Sequence, residues 1–325
     1  MSAVASALRT WFFGAAELAV PSLEWLRAAP CCDLLGVVTQ PDRPQGRRRR
    51  LAPCPLKARA MALDLPICTP EPVGACRDAL ERSAPDLLVV VAYGEYLPAG
   101  LCATARLGAI NLHPSLLPRY RGAAPIQWAL ANGEDQTGVT ILEVSPALDA
   151  GPILLQAPAA IRPEDDAVTL GARLARQGAE LLGRAVAALQ GGGLTAQPQD
   201  ETRATYARKL DRRDSPVDWT APARVLHNRV RAFQPWPGQT ACLPPPANRP
   251  FKLLRTMVVP GAGDPGVVLA LTADGPVVAC GEDALCLTEV QPADKRPMTG
   301  AAFSAGYRLT PGLNCPGQSA ATGAG

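Results

Sequence analysis

Leu87-Leu88-Val89-Val90-Val91-Ala92 is an unbroken apolar run that ends at Tyr93-Gly94. Rich in β-branched residues and bounded by a glycine, it predicts a short strand. Upstream, Trp11-Phe12-Phe13 ends at Gly14, and a helical pattern follows from Glu17 to Ala28 with Leu18, Leu23 and Leu26 at its apolar positions. Leu34 to Thr39 and Ala109 to Leu112 are further short apolar runs separated by helical segments. Such alternation predicts a doubly wound, mostly parallel α/β sheet. Gly138 to Val144 and the stretch from Ile153 add its last strands, and Leu170, Leu174, Leu181, Leu182, Val186 and Leu189 recur at helical spacing behind them.

Gly191, Gly192 and Gly193 then break the helix and open a linker. Beyond it, Pro222 begins a helix containing Val225, Leu226, Val230 and Phe233, and Pro235 and Pro237 end it. Short apolar runs around Lys252 to Leu254, Val267 to Leu271, Pro276 to Ala279 and Leu285 to Val290, spaced by Gly, Pro and Asp, predict a small β barrel. The expected division is a first domain over residues 1–190, a linker over 191–207, a β domain over 208–310 and a mobile tail over 311–325.

With 47% hydrophobic and 19% charged residues, the 325-residue chain has the composition of a globular protein. No apolar run approaches the roughly 20 residues of a membrane span, and Met1 to Thr10 lacks the pattern of a secretory signal, so a cytoplasmic location is expected. The ten cysteines form no C-x-x-C pair, so no metal site and no disulfide framework is expected. The adjacent Cys31 and Cys32 read as small core-filling thiols. A net charge of +3 requires that any affinity for nucleic acid come from local clusters.

The candidate chemistry lies at Asn111-Leu112-His113, the end of a predicted strand, where open α/β sheets bind ligands. Residues two apart in a strand share a face, so Asn111 and His113 can address one group. Asp149, in the turn Asp149-Ala150-Gly151-Pro152, can steady the imidazole. An amide donor beside a carboxylate-paired imidazole suits acyl transfer to an amine, with charge growing on a carbonyl oxygen and protons passing through His113. Spacing alone equally allows a turn histidine satisfied by backbone and an aspartate that merely caps a turn.

Asn111-Leu112-His113-Pro114-Ser115-Leu116-Leu117-Pro118, continuing through Arg121-Gly122-Ala123-Ala124-Pro125, closely resembles the active-site signature of the formyltransferase family. Leu148-Asp149-Ala150-Gly151-Pro152 resembles its second half, and Arg231-Ala232-Phe233-Gln234-Pro235-Trp236-Pro237-Gly238 extends the resemblance into the second domain. The resemblance implies a Rossmann-like catalytic domain followed by an OB-like tRNA-binding domain, with Asn111, His113 and Asp149 catalytic and 10-formyltetrahydrofolate as formyl donor. It implies a folate pocket bordered by Leu88, Val89, Val90, Val91, Ala92 and Tyr93, by Ser115, Leu116, Leu117 and Pro118, and by the Pro163 to Asp166 segment. The family's Gly-Thr-Pro motif after its first strand is here Gly14-Ala15-Ala16.

Gln40-Pro41-Asp42-Arg43-Pro44-Gln45-Gly46-Arg47 and the basic residues after it resemble the loop that enters the acceptor stem in members acting on initiator methionyl-tRNA. Arg43, Arg47, Arg48, Arg49, Arg50 and Lys57 then become tRNA-binding candidates, facing only Asp42 as local counter-charge. Arg208, Lys209, Arg212, Arg213, Arg224, Arg229 and Arg231 are weaker candidates on the second domain, and His227 reads as structural. The expected protein is a monomeric, translation-initiation formyltransferase. Two alternatives remain at this level: formylation of a small amine such as a sugar nucleotide or purine precursor, and a non-catalytic RNA-binding protein.

Overall fold

The computed structural model describes residues 6–45, 49–244 and 247–317. Two compact units emerge. The first runs through Pro125 and resumes over Gln136–Ala160 and Leu170–Arg208, while the second gathers Ile126–Asp135, Ile161–Thr169 and the chain from Lys209 onward.

The first unit begins with β1 (Leu8–Gly14), α1 (Val20–Ala28), β2 (Cys32–Val38), a hairpin of β3 (Arg43–Gln45) and β4 (Arg50–Ala52), α2 (Pro55–Ala62) and β5 (Ile67–Cys68). There follow α3 (Arg77–Ser83), β6 (Leu87–Val91), α4 (Ala99–Cys102), β7 (Ala109–His113) and β8 (Arg121–Gly122); the next element in the chain, α5 (Pro125–Ala131), belongs to the second unit from Ile126 onward. β9 (Gln136–Glu143), β10 (Ile153–Ala160), α6 (Ala167–Gln190) and β11 (Tyr206–Ala207) complete the series. The main sheet has the order β10-β9-β7-β6-β1-β2-β5. It is parallel from β7 through β5, while β9 and β10 add antiparallel at one edge. β6 sits at its centre with all five residues buried, which accounts for its unbroken apolar run.

The stretch expected as a linker is woven into this unit. Gln197 exchanges two backbone hydrogen bonds with Ile153 at the edge of β10, at 2.7 and 2.9 Å. β11 pairs in parallel with β8, Tyr206 opposite Arg121 and Ala207 opposite Gly122. Backbone pairing of this kind satisfies polar groups on a sheet edge without needing any side-chain pattern.

The second unit contains α7 (Ala223–Ala232), β12 (Gln239–Cys242), β13 (Pro250–Val259), β14 (Val268–Leu271), β15 (Pro276–Ala279), β16 (Ala284–Pro292), β17 (Met298–Thr299) and α8 (Gly300–Gly306). Its antiparallel path is β12-β13-β16-β15-β14, with β17 on β16. Leu226 and Val230 of α7 pack with Phe251, Leu253, Leu285 and Phe303 in one buried cluster. Trp128 of α5 meets Phe233 edge to face at 5.8 Å, which explains why Ile126–Asp135 joins this unit rather than the first.

The expectation of a mobile tail from residue 311 needs correction over its described part. Val268 N–H donates to Leu313 and Cys242 N–H to Pro316, so one segment bonds to both edge strands, β14 and β12. Cys315 is buried. Low apolar content does not prevent ordering where backbone groups supply the bonds. Residues 318–325 lie outside the described residues.

Candidate active site

Asn111 and His113 leave the carboxyl end of β7 on the same face, opposite Leu142 and Thr140 of β9. Asp149 reaches them from the turn between β9 and β10, where its backbone has φ +50°. Gly151 lies against the Glu143 carbonyl so closely that a Cβ would collide with it, so the turn that delivers Asp149 needs glycine there.

The three side chains converge. Asn111 Nδ2 donates to Asp149 Oδ1 at 3.4 Å, a long bond, and its second hydrogen meets no acceptor among the described residues. His113 Nδ1 lies 3.5 Å from Asp149 Oδ2, a charge contact longer than a good hydrogen bond. The Gly122 N–H donates to the same Oδ2 at 2.8 Å. His113 Nε2 is 2.8 Å from the Tyr120 carbonyl oxygen. The imidazole is 5% exposed and the carboxylate 12%. Passage of protons through His113 was the expectation from sequence, yet both ring nitrogens here face protein acceptors. Asn111 and Asp149 are the groups with capacity left for a substrate.

Three consecutive residues frame this trio. Tyr120 supplies the carbonyl against His113, Gly122 supplies the N–H on Asp149, and the Arg121 side chain between them is 2% exposed. Arg121 donates to both Glu201 carboxylate oxygens at 2.9 and 2.7 Å and to Gln199 Oε1 at 3.1 and 2.8 Å. Hydrogen bonding to Glu201 holds the Arg121 guanidinium above its ordinary pKa, and the same bond holds the Glu201 carboxyl below its own. Gln199 and Glu201 were not singled out in the sequence. They lie 78 and 80 positions from Arg121, so no local pattern marks them.

The residues expected around a folate are distributed unevenly. Leu88, Val89, Val90 and Val91 are buried within the sheet core, so only the carboxyl end of β6 is open to a ligand. There Ala92 turns at φ +46°, its carbonyl accepting from the N–H groups of Ala15 and Ala16, and the Tyr93 carbonyl accepts from Gln40 Nε2. Ser115 Oγ donates to the Arg119 carbonyl, Leu117 and Tyr93 are buried, and Leu116 and Pro118 are partly buried. Arg162 and Pro163 instead line a cavity of about 600 Å³ in the second unit, with Trp128, Glu134, Arg224 and Arg231. None of the catalytic candidates lines that cavity; converging donors, not volume, mark the chemistry.

Arg43 and Arg50 lie on the β3–β4 hairpin and Arg49 in its turn, at φ +46°. All three are exposed and have no ion pair among the described residues. Lys57, on α2, is largely buried and bonded to Asp42 at 2.7 Å, so its charge is already matched. Arg47 and Arg48 lie outside the described residues. His227 pairs with Thr256 Oγ1 at 3.0 Å, in keeping with a structural role. All ten cysteines are free, and burial pushes the Cys32 thiol up to about 11.

An open α/β sheet with an amide donor and a carboxylate converging at its carboxyl edge defines a group-transfer enzyme acting at a carbonyl. The formyl transferase family model matches residues 16–186, and that of the formyl transferase C-terminal domain matches residues 209–308. A methionyl-tRNA formyltransferase of Synechococcus elongatus is 42% identical over 94% of this chain and 99% of its own. The chain belongs to the formyl transferase family and, within it, to the methionyl-tRNA formyltransferases. HypX from Aquifex aeolicus, solved in complex with tetrahydrofolic acid, shares its fold at a TM-score of 0.63 and 16% identity over 93% of this chain and 47% of HypX. WlaRD, a sugar 3N-formyl transferase solved with dTDP and 5-N-formyl-THF, does so at 0.62 and 16% over 89% of this chain and 99% of WlaRD.

Proposed function

We propose that the protein transfers the formyl group of 10-formyltetrahydrofolate to the α-amine of initiator methionyl-tRNA, with Asn111, His113 and Asp149 as its catalytic group. The observation that carries this reading is the convergence of the three side chains with one Asn111 amide hydrogen left unpartnered among the described residues. That hydrogen suits the formyl oxygen, where negative charge grows as the amine adds; such a donor contributes about 10²- to 10³-fold in rate. Asp149, held by Gly122 and His113, accepts the proton that the attacking nitrogen loses and returns it to the departing nitrogen of the donor. The His113 ring lies between the Tyr120 carbonyl and the Asp149 carboxylate, so it fixes Asp149 rather than attacking. The amine is the nucleophile and must arrive neutral, so no covalent enzyme intermediate forms.

The folates named with HypX and WlaRD support a folate donor, bound at the open ends of β6 and β7. The exposed arginines of the β3–β4 hairpin, joined by Arg47 and Arg48 on the sequence between its strands, supply phosphate contacts. The antiparallel second unit reads as an OB-like RNA-binding domain, the sort that tracks a nucleic-acid backbone. All three catalytic groups come from one chain, which suits a monomer, and charged tRNA as acceptor implies the cytoplasm.

Substrate choice tests the reading. Purified protein supplied with 10-formyltetrahydrofolate is expected to formylate methionyl initiator tRNA at least about 100-fold more efficiently, by kcat/KM, than a dTDP-linked amino sugar. Preference for the amino sugar would favour the small-amine alternative, and activity on neither would favour a silent RNA-binding protein.

A further inference from the structure

We infer that Gln199 and Glu201 act through Arg121 as positioning residues for Asp149, an inference that rests on the proposed role of Asp149. Gln199 Nε2 donates to the Asp149 carbonyl at 2.7 Å and to the Gly151 carbonyl at 2.8 Å, one on each side of the turn that carries the carboxylate. Gln199 Oε1 accepts two N–H groups from Arg121. A guanidinium offers only donors and a carbonyl only lone pairs, so the amide has a single workable orientation. Reversing it would set NH₂ against guanidinium and oxygen against two carbonyls.

Arg121 connects this amide to the other side of the site. Its backbone neighbours Tyr120 and Gly122 touch His113 and Asp149 respectively. The same segment that brings Gln199 and Glu201 also fixes that backbone: Thr205 Oγ1 accepts from the Tyr120 N–H at 2.8 Å, and the Arg121 N–H donates to the Thr205 carbonyl at 2.8 Å. Gly122, at φ +112°, lies close enough to the Ala207 carbonyl that a Cβ would stand 2.7 Å from it. The Asp149 carboxylate is therefore gripped through Gly122 and its backbone through Gln199, and both grips run to Arg121. Glu201 matches the buried guanidinium from the solvent side, its own carboxylate being 66% exposed. Left without it, Arg121 would be a buried cation with a neutral amide as its main remaining acceptor, an arrangement that drives side chains to repack.

The left-handed backbone at Asp149 gives the grip something to do. Aspartate tolerates φ +50° only at a cost unless its surroundings hold it, and relaxation of the turn would swing the carboxylate away from Asn111 and His113. Misplacement of a reacting group by about 1 Å can cost about 10²-fold in rate. None of these residues need touch substrate.

The test is a double-mutant cycle in formyl transfer to methionyl-tRNA. Gln199→Leu and Glu201→Ala are each made in the wild-type and Asp149→Asn backgrounds, with kcat and KM measured for both substrates. In the wild-type background Gln199→Leu is expected to lower kcat about 10- to 100-fold and Glu201→Ala about tenfold, with KM values within about threefold of wild type. In the Asp149→Asn background, each is expected to cost less than about twofold, because the group being positioned is already disabled. Glu201→Asp is expected to recover part of the Glu201→Ala loss. Wild-type kcat in Gln199→Leu and Glu201→Ala, or equal losses in both backgrounds, would overturn the inference. If Gln199→Leu does not fold, Glu201→Ala decides the cycle, since its side chain lies mostly in solvent. Should Asp149→Asn alone leave kcat unchanged, the catalytic reading of Asp149 fails instead, and the two failures are distinguishable.

Discussion

Asp149 is held in place by neighbours that a sequence window does not contain. Its carboxylate is held by an N–H 27 positions away, and its backbone by an amide 50 positions away. His227 shows the opposite kind of residue, one held for stability. Burial, reinforced by Arg231 and Arg224, lowers its pKa below the ordinary 6.5, so the folded protein favours the neutral ring. The unfolded chain then takes up the proton first as pH falls. The stabilising contribution is complete above about 6.5 and disappears as pH drops through the folded value. Thermal melts between about pH 8 and about pH 5 are expected to show stability falling on the acid side, with a shallower fall in His227→Gln. An unchanged slope in that variant would assign the acid sensitivity to other groups. Asn111, His113 and Asp149 stood out in sequence as candidates because strand ends and glycine turns leave local marks, and the resemblance to the formyltransferase signature selected them. Gln199 and Glu201 were not, because their meaning comes only from Arg121, far away in the chain.

Among elements, the β3–β4 hairpin separates what composition shows from what pairing decides. The basic run announced a phosphate-binding loop, while the antiparallel register of Arg43 with Ala52 and Gln45 with Arg50 left no alternation to read. Lys57 looked like part of the run, yet its match with Asp42 removes it from the exposed charge. Replacing Arg43, Arg49 and Arg50 together with Ala is expected to weaken tRNA binding and to make the plot of log affinity against log salt shallower by about two to three. Fluorescence anisotropy across a salt series reads both quantities, and an unchanged slope would remove the hairpin from the tRNA interface. α8 was missed for a different reason: Gly300-Ala301-Ala302-Phe303-Ser304-Ala305-Gly306 is bracketed by glycines, which weaken helical propensity. Its signal was the preceding Thr299, whose side chain accepts from the Ala302 N–H as an N-cap.

Across the whole molecule, the strand–helix alternation of the first unit and the short strands of the second follow from apolar runs and their punctuation, which is why the fold class was legible in sequence while the strand order was not. What could not be read is where each unit recruits discontinuous chain. α5 joins the second unit through Trp128 and Phe233, the stretch through Ala207 belongs to the first, and residues 313–316 bond to two edge strands of the second. Backbone bonds and single aromatic contacts make these choices, and neither has a periodicity. In the proposed mechanism Asp149 takes the proton from the attacking amine while Asn111 steadies the formyl oxygen. The most direct measurement is the single-turnover rate of formyl transfer from 10-formyltetrahydrofolate to methionyl-tRNA in Asp149→Asn. A fall of about 10²-fold or more, with binding of both substrates retained, is predicted; a rate within about threefold of wild type would contradict it.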